Sequence, residues 1–302
     1  MRLASILFLI SFSIAQDMQV KYVVAYTIDV NWGGEIETVS EITTAPGYAK
    51  YSGRLNPKRW IFRILGGERG MIKVPGTENI MGYNAKRKRY WVTPLGEFPL
   101  FADMDLGGGQ EDETEEKEES TEISITADTE EKEKKGSRSV RKNQFSKLAE
   151  NVFENDDDPP QVERILNDGT EIINGFRTNK LTTTISTKSN KLIIEEWMVD
   201  DLPLRDSLYS YLFAAIEMDT VENSNFPKYS SHDFLRGVDS TYAVEQSDGE
   251  IVMAKLTIDS DNGWVQWALF EIRELYTVPF DALSYTIPEE YERIEIEKEE
   301  SE

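Results

Sequence analysis

The sequence predicts a mainly β (α+β) protein: a strongly curved antiparallel sheet, or open half-barrel, with a few covering helices and a long disordered acidic insertion. Three observations predict it. Apolar and polar residues alternate with period two over residues 20–32. Short β-rich runs separated by Gly, Pro and Asn/Asp follow one another on both sides of the chain's middle. Between residues 103 and 160, large apolar residues thin out and acidic ones accumulate.

The 302 residues, 39% of them hydrophobic and 29% charged, suffice for a substantial core. Lys and Arg total 33 against 56 Asp and Glu, a formal net charge of −23, which argues against bulk attraction to nucleic acid or an anionic membrane. The apolar run of about 18 residues that a spanning helix needs does not occur in the sequence. With no cysteine there are no disulfides, thiol nucleophiles, zinc–cysteine sites or lipidated cysteines.

Taken in order, residues 1–15 read as a signal peptide: Arg2, an apolar stretch, then small Ser13 and Ala15 at a cleavage site near Ala15. Absence of cysteine and of any Asn-x-Ser/Thr sequon points to a bacterial periplasmic or secreted protein. Residues 17–102, with 12 basic and 8 acidic residues, form the first part of the half-barrel. In its first strand Val20, Tyr22, Val24, Tyr26, Ile28, Val30 and Trp32 share one face. A two-residue turn at Gly33-Gly34 would set Glu35, Glu37 and Glu41 against that apolar face. A three-residue loop, pairing Trp32 with Ile36 and Tyr26 with Ile42, avoids this. Further strands are expected at 47–55, 59–65, 78–83 and 88–93, and Gly66-Gly67-Glu68-Arg69-Gly70 reads as a loop.

Residues 103–160 carry 8 basic and 19 acidic residues and are expected to be disordered, with one possible short helix presenting Val140, Phe145, Leu148 and Val152. Residues 161–288 complete the same domain. Strands are expected at 162–166, 176–187 and 191–199, turns at Asn167-Asp168-Gly169 and Ser189-Asn190, and a helix at 204–218 buries Leu208, Leu212 and Ile216. Two long strands, 250–258 and 264–277, follow, and residues 289–302 read as a solvated acidic tail.

Four stretches then resemble a family of secreted bacterial proteins of unknown function whose fold is similar to the LolA/LolB lipoprotein carriers. They are Tyr90-Trp91-Val92-Thr93-Pro94-Leu95-Gly96-Glu97, Ile173-Asn174-Gly175-Phe176, Glu196-Trp197-Met198-Val199-Asp200-Asp201-Leu202-Pro203, and Pro279-Phe280 with Ile287-Pro288-Glu289-Glu290-Tyr291. The resemblance implies an open half-barrel whose concave apolar face, covered by helices, holds a lipid or acyl chain, with no catalytic constellation to transfer.

Candidate chemistry is sparse. His232, the one histidine, has Ser230, Ser231 and Asp233 only as sequence neighbours, a poor source of triad geometry, so it reads as a loop residue. Asp259, Asp261, Asn262 and Gly263 place the glycine one position early for a calcium loop, and no Glu closes it, so they read as a hairpin turn. Lys86, Arg87, Lys88 and Arg89 put four adjacent cations on a turn, a candidate surface contact for a phosphate or an acidic partner.

The expected activity is therefore non-catalytic: a monomeric, cofactor-free binder of a hydrophobic ligand. Tyr22, Val24, Tyr26, Ile28, Trp60, Phe62 and Trp197 would line its site, under a cover of Leu208, Leu212 and Ile216. The alternative is a cell-envelope interaction or scaffold protein with a solid core and a charged binding surface, on which the acidic segment 111–133 would occupy Lys86–Arg89 until displaced by a partner.

Overall fold

The computed structural model describes residues 18–30, 34–59, 66–95, 161–217, 249–259 and 265–295. Twelve strands form one open sheet: β1 (Met18–Val30), β2 (Gly34–Ala45), β3 (Tyr48–Pro57), β4 (Gly67–Lys73), β5 (Asn79–Asn84), β6 (Arg89–Pro94), β7 (Gln161–Ile173), β8 (Phe176–Ser186), β9 (Lys191–Val199), β10 (Glu250–Asp259), β11 (Val265–Pro279) and β12 (Glu292–Arg293). Their order is β12-β6-β5-β4-β3-β2-β1-β11-β10-β9-β8-β7, and all pairs are antiparallel except β12 with β6. Strands from both sides of residues 96–160 thus build the same sheet, joined where β1 pairs with β11.

The β1–β2 hairpin keeps the expected faces but not the expected register. Tyr22 lies opposite Ile42, Tyr26 opposite Thr38 and Ile28 opposite Ile36, because the chain reverses between Val30 and Gly34, two residues earlier than the glycine pair suggests. A shift by an even number of residues leaves every side chain on its side of the sheet. Gly34, at φ 70°, belongs to β2 itself.

The glycine-rich stretch read as a loop is instead the first half of β4. A Cβ on Gly70 would stand 2.3 Å from the Tyr51 carbonyl oxygen and 2.5 Å from the Tyr83 ring, so the glycine admits a neighbour rather than breaking the strand. Gly82 does the same for the Trp91 indole, 2.3 Å from where its Cβ would be. Asn167-Asp168-Gly169 is likewise not a turn. It is a bulge inside β7, between the Leu166↔Leu181 and Thr170↔Asn179 pairs. The reversal comes at Asn174-Gly175, both at positive φ (50° and 88°), the two-residue turn that Asn-Gly favours.

That turn shows how far the sheet curves. Neighbouring strands lie roughly 4.8 Å apart, so β8 would be roughly 14 Å from β11 in a flat sheet. Yet Asn174 Nδ2 donates to the Ile272 carbonyl of β11 at 2.9 Å. The end of the β7–β8 hairpin curls back toward the sheet's middle.

One α-helix, α1 (Pro203–Ala215), is described, where a few covering helices were expected, and it packs on β11, β1, β2 and β3. On the opposite face, Phe280 to Tyr291 forms a strap under β3–β6. It includes a short 3-10 helix (Ala282–Tyr285) whose Asp281 side chain accepts from Leu283 N. Tyr285 (1% exposed) packs with Ile72 and Tyr83, flanked by Tyr48, Phe280, Ile287 and Tyr291. The segment read as a solvated tail continues this strap, and Glu292–Arg293 joins the sheet edge at β6. Of the expected features, the signal peptide, the strand at 59–65 (from residue 60 on), the acidic insertion with its short helix, and His232 lie outside the described residues.

Candidate functional site beneath the helix

The α1 face of the sheet is built by alternation. Leu275, Tyr22, Ile42, Tyr51, Met71, Gly82 and Trp91 form one row across β11, β1, β2, β3, β4, β5 and β6. Four residues along β1, Ala254, Phe270, Tyr26, Thr38 and Leu55 form another. Tyr26 and Phe270 meet with ring centroids 5.1 Å apart. Onto this floor α1 lowers Leu208 and Leu212, both wholly buried, with Phe213, Ala215 and Ile216.

The structure therefore brings Tyr22, Val24, Tyr26, Trp197, Leu208, Leu212 and Ile216 into one apolar cluster. Ile28 is half-buried one row beyond Tyr26, opposite Ile36 and Ala268. Trp60 and Phe62 lie outside the described residues. Register refines the place of Trp197. Glu196, not Trp197, shares the row of Ala254, Phe270 and Tyr26, since Glu196 pairs with Ala254 while Trp197 stands between Met253 and Lys180, just before the bulge at Val252. The indole N–H donates to Glu171 at 2.9 Å, and the Lys180 ammonium stands 4.6 Å from the ring centroid. Both engagements hold the ring in place.

The helix is secured mainly by this packing. Leu202 at its N-cap offers no side-chain hydrogen bond, and Pro203 opens the first turn. Its polar ties include Arg205 paired with Glu250 at the start of β10 (2.6 Å) and Thr44 Oγ1 donating to the Leu208 carbonyl (3.4 Å). A hydrogen bond between the Tyr22 and Tyr209 hydroxyls adds a third. The sequence reading did not find Tyr51, Arg205, Tyr209 or Glu250. Tyr51 alternates correctly in a strand, a signal that was there to use. Arg205 and Glu250 are brought together only by the fold.

The tyrosines of this face form a titrating set. Burial pushes the Tyr22, Tyr26, Tyr51 and Tyr209 hydroxyls above the usual phenol range. Raised in the fold, these groups contribute stability that is complete below pH ~10 and is lost as pH rises further, because the unfolded chain ionises first. Each tyrosine kept neutral adds about 1.4 kcal/mol per pH unit to that loss above pH ~10, less where water reaches it. Tyrosinate absorbance should accordingly appear in two stages, exposed rings near pH ~10 and the buried set only as circular dichroism reports unfolding. Smooth ionisation of all 13 tyrosines in an intact fold would contradict this assignment.

Among the described residues no cluster of three or more His, Asp or Glu could hold a metal ion, and no helix is long and apolar enough to cross a membrane. The cation run falls where the sequence placed it. Ala85, Lys86, Arg87 and Lys88 make the β5–β6 turn, Arg87 N donates to Asn84 Oδ1 (3.1 Å), and Arg89 begins β6.

No protein-family model matches the chain, and no curated protein does. Ten chains among the solved structures match it. One is the crystal structure of a DUF1329 family protein from Desulfovibrio piger, 9% identical over 92% of this chain and 93% of that one, with a TM-score of 0.23. A likeness at that level leaves the functional reading to the residues of this chain.

Proposed function

We propose that the protein is a non-catalytic binder of a hydrophobic ligand, a lipid or acylated molecule, taken up between α1 and the aromatic face of the sheet. The observation that carries this reading is the cover itself. A helix whose N-cap makes no side-chain hydrogen bond lies across a continuous floor of Tyr22, Tyr26, Ile42, Tyr51 and Phe270. Leu208 and Leu212 have no exposed surface, so in the closed state these side chains of the helix occupy the face that a ligand would cover. Uptake is then an exchange.

Lifting α1 exposes Leu202, Leu208, Leu212, Phe213 and Ile216, at about 2 kcal/mol each, or about 10 kcal/mol in all. A fourteen-carbon chain contributes about 0.8 kcal/mol per methylene, or about 11 kcal/mol. The two nearly balance, which suits a reversible carrier. The resemblance of the sequence to a family with a LolA/LolB-like fold leads to the same reading, and a periplasmic or secreted location would suit it.

The full burial of Leu208 and Leu212 also favours the second reading, a scaffold of the cell envelope with a solid core. Native mass spectrometry with lipid extraction, on protein purified from its own envelope, separates the two. The carrier should retain a lipid and take up a fluorescent fatty acid in solution. Neither retained lipid nor uptake would leave the scaffold.

A further inference from the structure

We infer that the outer edge of β6, together with the Lys86–Arg89 turn, is a docking site for an extended acidic segment of a partner protein, and that the chain's own residues 289–295 occupy it in the free state. This is independent of the face beneath α1.

The occupant is on the page. Glu292 N donates to the Lys88 carbonyl and Ile294 N to the Tyr90 carbonyl, each at 2.8 Å, so an extended segment already adds itself to this edge by backbone pairing. That pairing is short. It involves only Glu292 opposite Arg89 and Arg293 opposite Tyr90, in parallel, and it leaves Trp91 to Pro94 of β6 beyond the reach of β12. The charges are complementary: Glu292 lies opposite Arg89 and bonds to the Lys88 carbonyl at the end of the cationic turn, and Glu289, Glu290 and Glu295, exposed like it, flank it in the same segment.

The hold on β12 is correspondingly weak. The strap is anchored by aromatics up to Tyr291, whose ring stands 6.3 Å from that of Tyr83, but past Tyr291 it is held by the few backbone bonds of a two-residue ladder and by attraction between exposed charges, which contributes well under about 1 kcal/mol per pair. A partner segment can replace β12 while the strap behind it stays seated. The expected earlier occupant, the acidic run 111–133, lies outside the described residues, and residues 289–295 take the place beside the turn.

The test uses the full chain carrying Glu292→Pro and Ile294→Pro, which removes both donors and frees the edge without touching Tyr285 or Tyr291. A labelled peptide of residues 289–295 should bind this variant at least tenfold more tightly than the wild type, whose own segment competes at high effective concentration. The same peptide with its four Glu changed to Gln, or a protein further changed by Lys86→Gln, Arg87→Gln and Lys88→Gln, should bind at least tenfold more weakly. Equal binding to variant and wild type, or equal binding of the Gln peptide, overturns the proposal. So does a variant that dimerises and ignores the peptide, since the occupant would then be a second copy. If the variant does not fold, hydrogen exchange on the wild type decides: the Glu292 and Ile294 amides should exchange faster in ~0.5 M salt, and unchanged exchange overturns it.

Discussion

Leu208→Ala and Leu212→Ala should each lower stability by about 2–5 kcal/mol, the range found for deleting a buried leucine. Neither side chain has any exposed surface, and both sit between α1 and the rows of Tyr22 and Tyr26. Truncation leaves a void into which the packed surroundings relax only partly. Urea unfolding should show a lower midpoint with an unchanged slope. A loss below about 1 kcal/mol for both would mean that the helix does not fill the face as described.

The same variants bear on function through linkage. If a ligand chain replaces α1, then Leu208 and Leu212 stabilise only the closed state, and removing one raises the apparent affinity for a fatty acid. Every 1.4 kcal/mol taken from the closed state tightens uptake up to tenfold. A solid-core scaffold loses the same stability and gains no uptake. Stability alone cannot tell the readings apart, whereas its coupling to binding can.

Much of this was legible in the sequence for a physical reason. Period-two alternation over residues 20–30 fixes which side chains share a face, and the 3.6-residue spacing of Leu208, Leu212 and Ile216 fixes the buried side of α1. What was not legible depended on contacts distant in sequence. Gly67 and Gly70 look like loop residues until the Tyr83 ring is seen filling the space above Gly70. Gly33-Gly34 advertises a turn, yet the reversal is set by pairing along the whole hairpin. Trp197 reads as one more apolar residue of β9, and only the cross-strand pairing shows that its neighbour Glu196 lies in the row of Ala254 and Phe270. The acidic end of the chain has the composition of a tail, which says nothing about the packing of Phe280 and Tyr285 before it or of Tyr291 within it.

Tyr285→Ala should cost about 3–5 kcal/mol, as for other large buried aromatics, while Tyr285→Phe should be neutral or stabilising by about 1 kcal/mol. The contrast follows from the two ends of the side chain. Its ring is 1% exposed and lies 5.1 Å from the Tyr48 centroid and 5.9 Å from that of Phe280, so it is the centre of the packing that fastens the strap to β3–β6. Its hydroxyl is buried with no hydrogen-bond partner among the described residues. Burial holds that hydroxyl neutral, pushing its pKa above the usual phenol range, but no bond offsets the water it gives up. Removing the ring therefore opens a cavity beneath the strap, and removing only the oxygen relieves an unpaid desolvation. The Ala variant should also speed hydrogen exchange at the amides of Tyr291, Glu292 and Ile294, since β12 is held in place by the strap that Tyr285 anchors. Destabilisation by the Phe variant of more than about 1 kcal/mol would show instead that the hydroxyl is satisfied and that polar contact, as well as packing, holds the strap.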